Sequence, residues 1–282
     1  METSPAARRL SARFVAGVTP EEAFAVCRRL NAENIVATLD HLGERVTSLG
    51  EASAARDVYL RLLPAIHQMG IRSNVSLKLT EFGLDFSYEQ CLANVERLAG
   101  AAASLHTFVR VDMESGEYTG RTLDLVSSVH AKYRSVGAVV QAYLRRSRQD
   151  VERLSSEGIP VRLCKGAYLE PASLAFQRKS EVDRNFVELM KLLLDRGTRP
   201  AIATHDEKII ARTKAYAAQR NLPRAAFEFQ MLYGIRRDLQ RALGYPVRLY
   251  VPFGAAWYPY LMRRLAERPA NVLFLLRNLF RE

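Results

Sequence analysis

The stretch "SEVDRNFVELMKLLLDRGTRPAIATH" (180–205) joins two kinds of local pattern in one unit. Residues 180–197 read as a helix that closes on Gly197, a residue that commonly ends helices. Pro200 then stands just before a short apolar run, "AIATH" (201–205), which ends on the polar pair Thr204 and His205. A helix feeding a short β-run decides the fold only if it recurs, and it does. Comparable runs are "IVATLD" (35–40), "VSLKLT" (75–80), "FVRVD" (108–112), "AVVQAY" (138–143), "VRLCK" (161–165), "FEFQM" (227–231) and "VRLYV" (247–251). Helix-like segments lie between them, such as 87–102 with Ser87 as its N-cap. Pro160 and Pro246 also stand just before runs. Strands that alternate with helices must pair in parallel. Eight such units predict an α/β fold, a distorted (β/α)8 TIM-like barrel that leaves no sheet edge exposed. Residues 1–34 form a helical lead-in and 35–282 the barrel domain. A doubly wound open sheet is the structural alternative. It would carry a G-x-G-x-x-G turn after the first strand, and none is present.

Composition narrows the functional classes. The chain has 282 residues, 48% hydrophobic and 25% charged, as in soluble globular proteins. There is no run of about 18 apolar residues to span a bilayer, and the N-terminal residues lack the apolar core of a secretion signal. Cys27, Cys91 and Cys164 are few and far apart, which points to reduced thiols rather than a disulfide framework or zinc site. The net charge of +11 suits nucleic acid, an anionic membrane surface or an anionic ligand. The basic residues are spread along the chain with no like-charged block, which disfavours nucleic acid.

A barrel collects its chemistry at the C-terminal ends of its strands. Those ends carry Asp40, Lys78, Asp112, Gln141, Arg162 with Lys165, Thr204 with His205, Gln230 and Tyr250. Polar groups there are costly to bury unless paired, and so many at equivalent places predict one shared site. The five histidines show no paired ligand spacing, so no metal is expected. No nucleophile elbow or phosphate loop is present. The set is rich in cations and hydrogen-bond donors, which fits an anionic substrate with an electron-rich cofactor. Near the end of the chain, "YLMRRLAERP" (260–269) sets Tyr260, Arg263, Arg264 and Glu267 on one helical face. That face is either a solvated basic surface or a clamp for an anion.

Taken in order, "SLKLTEFG" (76–83), "VVQAYLRRS" (139–147), "VRLCKGAY" (161–168), "IATHD" (202–206), "FEFQMLYG" (227–234), "VRLYVPFG" (247–254) and "YLMRRLAE" (260–267) closely resemble the proline dehydrogenase family. Upstream, 13–31 and "TLDHLGE" (38–44) look similar too, so the resemblance covers nearly the whole chain. It implies a distorted (β/α)8 barrel that binds FAD and oxidises L-proline to 1-pyrroline-5-carboxylate, with hydride passing from ring C5 to the flavin N5. Lys78, Arg263 and Arg264 would hold the proline carboxylate, with Asp112 orienting Lys78. Ala167, Leu232, Tyr250 and Tyr260 would wall the ring, and Glu44 would pair with Arg263 as a gate. Arg162 would sit near the flavin N5 and Gln141 at the isoalloxazine edge. Backbone around Cys164, Gly166 and Ala167 would border the cofactor. Thr204 and His205, assisted by Lys165 and Glu267, would hold its ribityl and phosphate region, and Gln230 joins this cofactor set.

The resemblance further implies a quinone electron acceptor, peripheral contact with the inner face of a membrane from a cytoplasmic location, and a pyrroline-5-carboxylate dehydrogenase on a separate chain. The expected form is monofunctional, without aldehyde dehydrogenase or DNA-binding segments. The apolar stretch "NVLFLLRNLF" (271–280) could touch lipid or pack on the barrel or a partner subunit. Three departures from the family pattern stand out. Leu169 replaces an aromatic that could pack on adenine. Asp206 replaces an asparagine and adds a charge near the cofactor's anionic part. Cys164 replaces a valine and is expected to be a small buried hydrophobe. Two alternatives remain open: oxidation of hydroxyproline, and a barrel that binds without catalysing.

Overall fold

The computed structural model describes residues 12–43, 46–258, 260 and 262. Helix α1 (Pro20–Ala32) leads in, held at its start by a reciprocal capping box between Thr19 and Glu22. There follow β1 (Val36–His41), α2 (Leu49–Gln68), β2 (Ser73–Leu77), α3 (Tyr88–Ser104), β3 (Val109–Val111) and α4 (Thr119–Tyr133). Then come β4 (Val136–Gln141), α5 (Ser147–Ser156), β5 (Pro160–Cys164), α6 (Lys179–Arg196) and β6 (Thr198–Ala203). The last elements are α7 (Glu207–Gln219), β7 (Glu228–Leu232), α8 (Arg237–Ala242) and β8 (Val247–Phe253). The strands pair in sequence order into a closed barrel, and β1 pairs with β8 in parallel to shut it. This is the (β/α)8 architecture that the sequence predicts.

The apolar stripes of the helices pack on the outer faces of the strands, and one continuous core runs around the barrel. Helix α1 joins it through Phe24 and Cys27, both buried in the same core as Ala37 and Leu39 of β1. Cys27 and Cys91 are buried thiols whose pKa values burial pushes up to about 12, so both are inert. Helix α3 starts on Ser87, which accepts the Gln90 N–H at 3.1 Å. Helix α6 stops at Gly197, but the reason is closeness rather than handedness. A Cβ there would lie 2.6 Å from the Leu193 carbonyl oxygen.

Two prolines sit differently from the sequence reading. Pro160 is the first residue of β5 and Pro200 lies within β6. The β5–β6 register slips between the pairs Pro160–Thr198 and Arg162–Ala201. That bulge contains Arg199 and Pro200, so the missing proline N–H costs no ladder bond.

The N-terminal end of the barrel has its own regularity. At the start of each strand, or in the segment that leads into it, the chain passes through one left-handed residue: Asn34, Gly70, His106, Arg134, Gly158, Arg199, Asn221 and Gly244. Glycine and asparagine suit this conformation. Histidine, as at His106, is tolerated there; Arg134 and Arg199, at φ 57° and 45°, suit it least. A side chain with Cβ costs about 1–2 kcal/mol there.

Candidate active site

Side chains alternate along a strand, so every second residue of each strand points into the barrel. This brings Ser76, Arg162, Gln230 and Tyr250 toward Asp112, which begins the loop after β3. The Asp112 carboxylate accepts hydrogen bonds from Ser76 Oγ at 2.6 Å, Arg162 Nη1 at 2.7 Å and the Tyr250 hydroxyl at 2.8 Å. Burial pushes its carboxyl up, but the charges of Arg162 and Lys78 and the two hydroxyls outweigh this and hold it below the usual range. Arg162 is fixed on its other side by Nε donating to Gln230 Oε1 at 2.5 Å. Its guanidinium lies 5.4 Å from the centre of the Tyr250 ring. Its remaining nitrogen, Nη2, is buried and has no hydrogen-bond partner among the described residues. Burial, and then the Asp112 charge, raise the Tyr250 phenol well above its ordinary value, so it stays a donor.

Lys78 lies one residue beyond β2. Its partner is Asp40 at the end of β1, with Nζ–Oδ distances of 3.2 and 3.3 Å, and not Asp112. Asp112 acts on Lys78 only through space, because its oxygens are taken by Ser76, Arg162 and Tyr250. The Asp40 side chain is fully buried, and Glu81 approaches Lys78 Nζ at 4.0 Å. Burial disfavours the ammonium, but Asp40, Glu81 and Asp112 together raise its pKa, so Lys78 is a fixed cation. Burial also pushes the Glu81 carboxyl up to about 8, with Lys78 opposing and Asp40 and Glu114 reinforcing. Glu114 is raised too, chiefly by burial, while Thr80 donates to it through N at 3.2 Å and Oγ1 at 2.7 Å. Glu81 and Glu114 were not singled out in the sequence. They sit on loops, Glu81 three residues past Lys78 and Glu114 two past Asp112, where strand periodicity gives no signal.

The other side of the mouth is formed by β4 to β7. Gln141 Nε2 donates to the Glu114 carbonyl at 2.8 Å, which leaves its amide oxygen as an acceptor. Gly166 has φ +109°, and a Cβ there would come within 2.1 Å of the Tyr143 ring, so only glycine fits this turn. Ala167, next in the chain, and Leu232, at the end of β7, are both half-buried. Thr204 is buried, and its hydroxyl accepts the Asp206 N–H at 3.0 Å. His205 Nε2 accepts the Leu232 N–H at 3.1 Å. Burial, then the nearby Arg236 charge, lowers its pKa to about 4, so the ring is neutral at pH 7.

Lys165 pairs with Asp183 at 2.6 Å and with Asp206 at 2.8 Å. Asp206 also caps α7, accepting from the Lys208 and Ile209 N–H groups. The charge that Asp206 adds is therefore answered by Lys165 and by a helix N-terminus. Cys164 is half-buried rather than buried, because it ends β5 at the rim. Leu169 is 96% exposed.

Tyr260 is buried with Val15, Leu42 and Ala256, and its hydroxyl is close enough to Tyr250 to raise that phenol's pKa. The Tyr260 side of its helix thus faces the barrel mouth. Glu44, Arg263, Arg264, Glu267 and the 271–280 segment lie outside the described residues. Among the described residues no metal-ligating cluster occurs, and no helix is long and apolar enough to cross a membrane.

A closed parallel barrel with a buried, carboxylate-anchored array of cations and phenols at its C-terminal mouth is the architecture of a (β/α)8 enzyme. A family model described as proline dehydrogenase matches residues 23–277. Proline dehydrogenase 1 of Bacillus subtilis (strain 168) is 41% identical over 278 residues, 97% of this chain and 92% of that protein. Proline dehydrogenase of Deinococcus radiodurans is 38% identical over 280 residues, 96% of this chain and 90% of that protein. Among solved structures, proline utilization A from Bdellovibrio bacteriovorus, inactivated by N-propargylglycine, is similar with TM-score 0.85 at 28% identity. The match covers 92% of this chain and 32% of that one, so this chain spans about a third of that protein. The chain belongs to the proline dehydrogenase family.

Proposed function

We propose that this protein oxidises L-proline to 1-pyrroline-5-carboxylate with FAD as its cofactor and a quinone as the final electron acceptor. The observation that carries this reading is the Arg162 guanidinium. Two of its nitrogens are fixed by Asp112 and Gln230, and the third is buried without a partner among the described residues. A buried, unmet cationic N–H is costly, and a flavin ring edge is an acceptor of the right chemistry. The Gly166 turn, which admits no side chain, suits the close approach of a planar ring. The residues present therefore fit a flavin.

FAD, when bound, supplies the two-electron acceptor for the hydride that leaves proline C5. Gln141, Arg162, Gln230, Thr204, His205, Glu267 and the backbone at Cys164, Gly166 and Ala167 would hold it. Lys165 supports this end indirectly, since its charge is committed to Asp183 and Asp206. Lys78, with Arg263 and Arg264, binds the proline carboxylate. Its ammonium keeps donors to spare after meeting Asp40. Each charge-assisted bond contributes about 1.5–3 kcal/mol, enough for three cations to orient a small substrate. Tyr250 and Tyr260 wall the apolar ring, with Ala167 and Leu232. Asp112 is a positioning residue: it fixes Arg162 and Tyr250 relative to each other. Glu44 would gate the site through Arg263.

Steady-state turnover of the FAD-loaded protein, with a soluble quinone as acceptor, tests this reading. L-proline should be oxidised, and hydroxyproline should be much the poorer substrate because the anchored Tyr250 leaves no freedom to admit a ring hydroxyl. Faster turnover of hydroxyproline would transfer the assignment to that substrate. Flavin-loaded protein that turns over neither would favour a binding role.

A further inference from the structure

The opposite, N-terminal end of the barrel holds a cavity of about 540 Å³. It is lined from the ends of β1, β2, β3, β4, β6 and β8, so it lies across the barrel axis. Its charged residues are all basic: Arg72, Arg134, Arg199 and Arg248, joined by His106, with no aspartate or glutamate in the lining. Two of these arginines are already committed. Arg248 is paired with Glu228 at 2.8 Å, and Arg72 donates to the Asn31 carbonyl oxygen. The side chains of Arg134, Arg199 and His106 make no hydrogen bond or ion pair with any described residue.

A second, independent observation singles out the same three residues. Of the eight left-handed positions that lead into the strands, five carry glycine or asparagine, two carry arginine and one carries histidine. Those three, His106, Arg134 and Arg199, all line this cavity. Arg134 and Arg199 thus stand where backbone geometry favours glycine, and both line this one space. Phe108 and Tyr133 add aromatic walls.

We propose that this cavity is a binding site for a phosphate-bearing anion, separate from the proline site at the other end of the barrel. Its volume falls in the range of small-molecule sites. Arginine forks with a histidine suit the several oxygens of a phosphate or pyrophosphate group. Aromatic walls suit an organic body attached to it.

Calorimetric titration of the FAD-loaded protein with inorganic pyrophosphate tests the proposal without reading activity. Saturable binding at one site per chain is expected, weakening as salt is raised. The double variant Arg134→Gly, Arg199→Gly removes two charges while giving the backbone a residue it accepts more readily, so it should fold at least as well. Its affinity should fall by about tenfold or more. Absence of saturable heat, or equal affinity in the variant, would overturn the proposal. A second arm uses phosphatidylcholine vesicles doped with phosphatidic acid. Capture that pyrophosphate displaces assigns the phosphate to a lipid headgroup, and binding of pyrophosphate without capture assigns it to a free phosphate ester.

Discussion

The two mouths of this barrel differ in how many of their cations meet a carboxylate. At the C-terminal mouth every described strand-end cation faces a carboxylate: Lys78 with Asp40, Arg162 with Asp112, Lys165 with Asp183 and Asp206. At the N-terminal mouth Arg134 and Arg199 face none among the described residues, and they occupy strained backbone. The first arrangement holds positive charge in place through direct carboxylate contacts, as positioning a reacting carbon requires. The second leaves positive charge open and relies on an anion from outside. Removing a charge should therefore destabilise one end and stabilise the other.

The largest effect is expected from Asp112→Ala. It strands a buried guanidinium and a buried phenol together. Breaking one partner out of a buried ion pair costs about 3–5 kcal/mol, measurable by urea denaturation. Loss of the Arg162 geometry should lower turnover by about a hundredfold. Next comes Lys78→Met. It should raise KM for L-proline by about 10–100-fold and leave Asp40 buried alone. Adding Asp40→Leu should then restore stability without restoring affinity. If the double variant recovers both, Lys78 is structural only.

The pH dependence of stability gives a smaller effect with a defined sign. Glu81 has its pKa raised by burial from 4.5 to about 8. The folded state thus holds a proton that the unfolded state releases, and Glu81 lowers stability as pH rises from about 4.5 to 8. Asp112, held low, works the other way: its contribution is present above an ordinary carboxylate pKa and is lost as acid titrates it. Glu81→Gln should flatten the fall in Tm across the neutral range and leave the acid limb unchanged. The smallest effect is expected at the other mouth. Arg134→Gly and Arg199→Gly should each raise stability by about 1 kcal/mol by relieving left-handed backbone. A loss there would break the contrast between the two ends.

Much of the fold was legible because strand periodicity and helix stops are local. All eight apolar runs became strands. The boundaries drifted where buried loops continue the apolar pattern. Leu79 is fully buried yet lies past the end of β2 at Leu77, so "VSLKLT" reads as one strand. Pro200 reads as a boundary because the bulge that admits it depends on β5, far away in sequence. In the site, Lys78, Asp112, Arg162 and Tyr250 were legible as polar residues in apolar runs. The pairing of Lys78 with Asp40 was not, because it follows from the β1–β2 register, in which Asp40 lies opposite Ser76. Glu81 and Glu114 were hidden in loops, where only burial marks them.

The central claim is that the C-terminal mouth oxidises proline with a flavin. The direct measurement is an anaerobic titration of the FAD-loaded protein with L-proline, followed by flavin absorbance. The account predicts that the oxidised flavin bands bleach on adding L-proline, and that Lys78→Met shifts the bleaching to higher proline concentration. Folded protein that binds FAD but keeps its oxidised spectrum at saturating L-proline would contradict it.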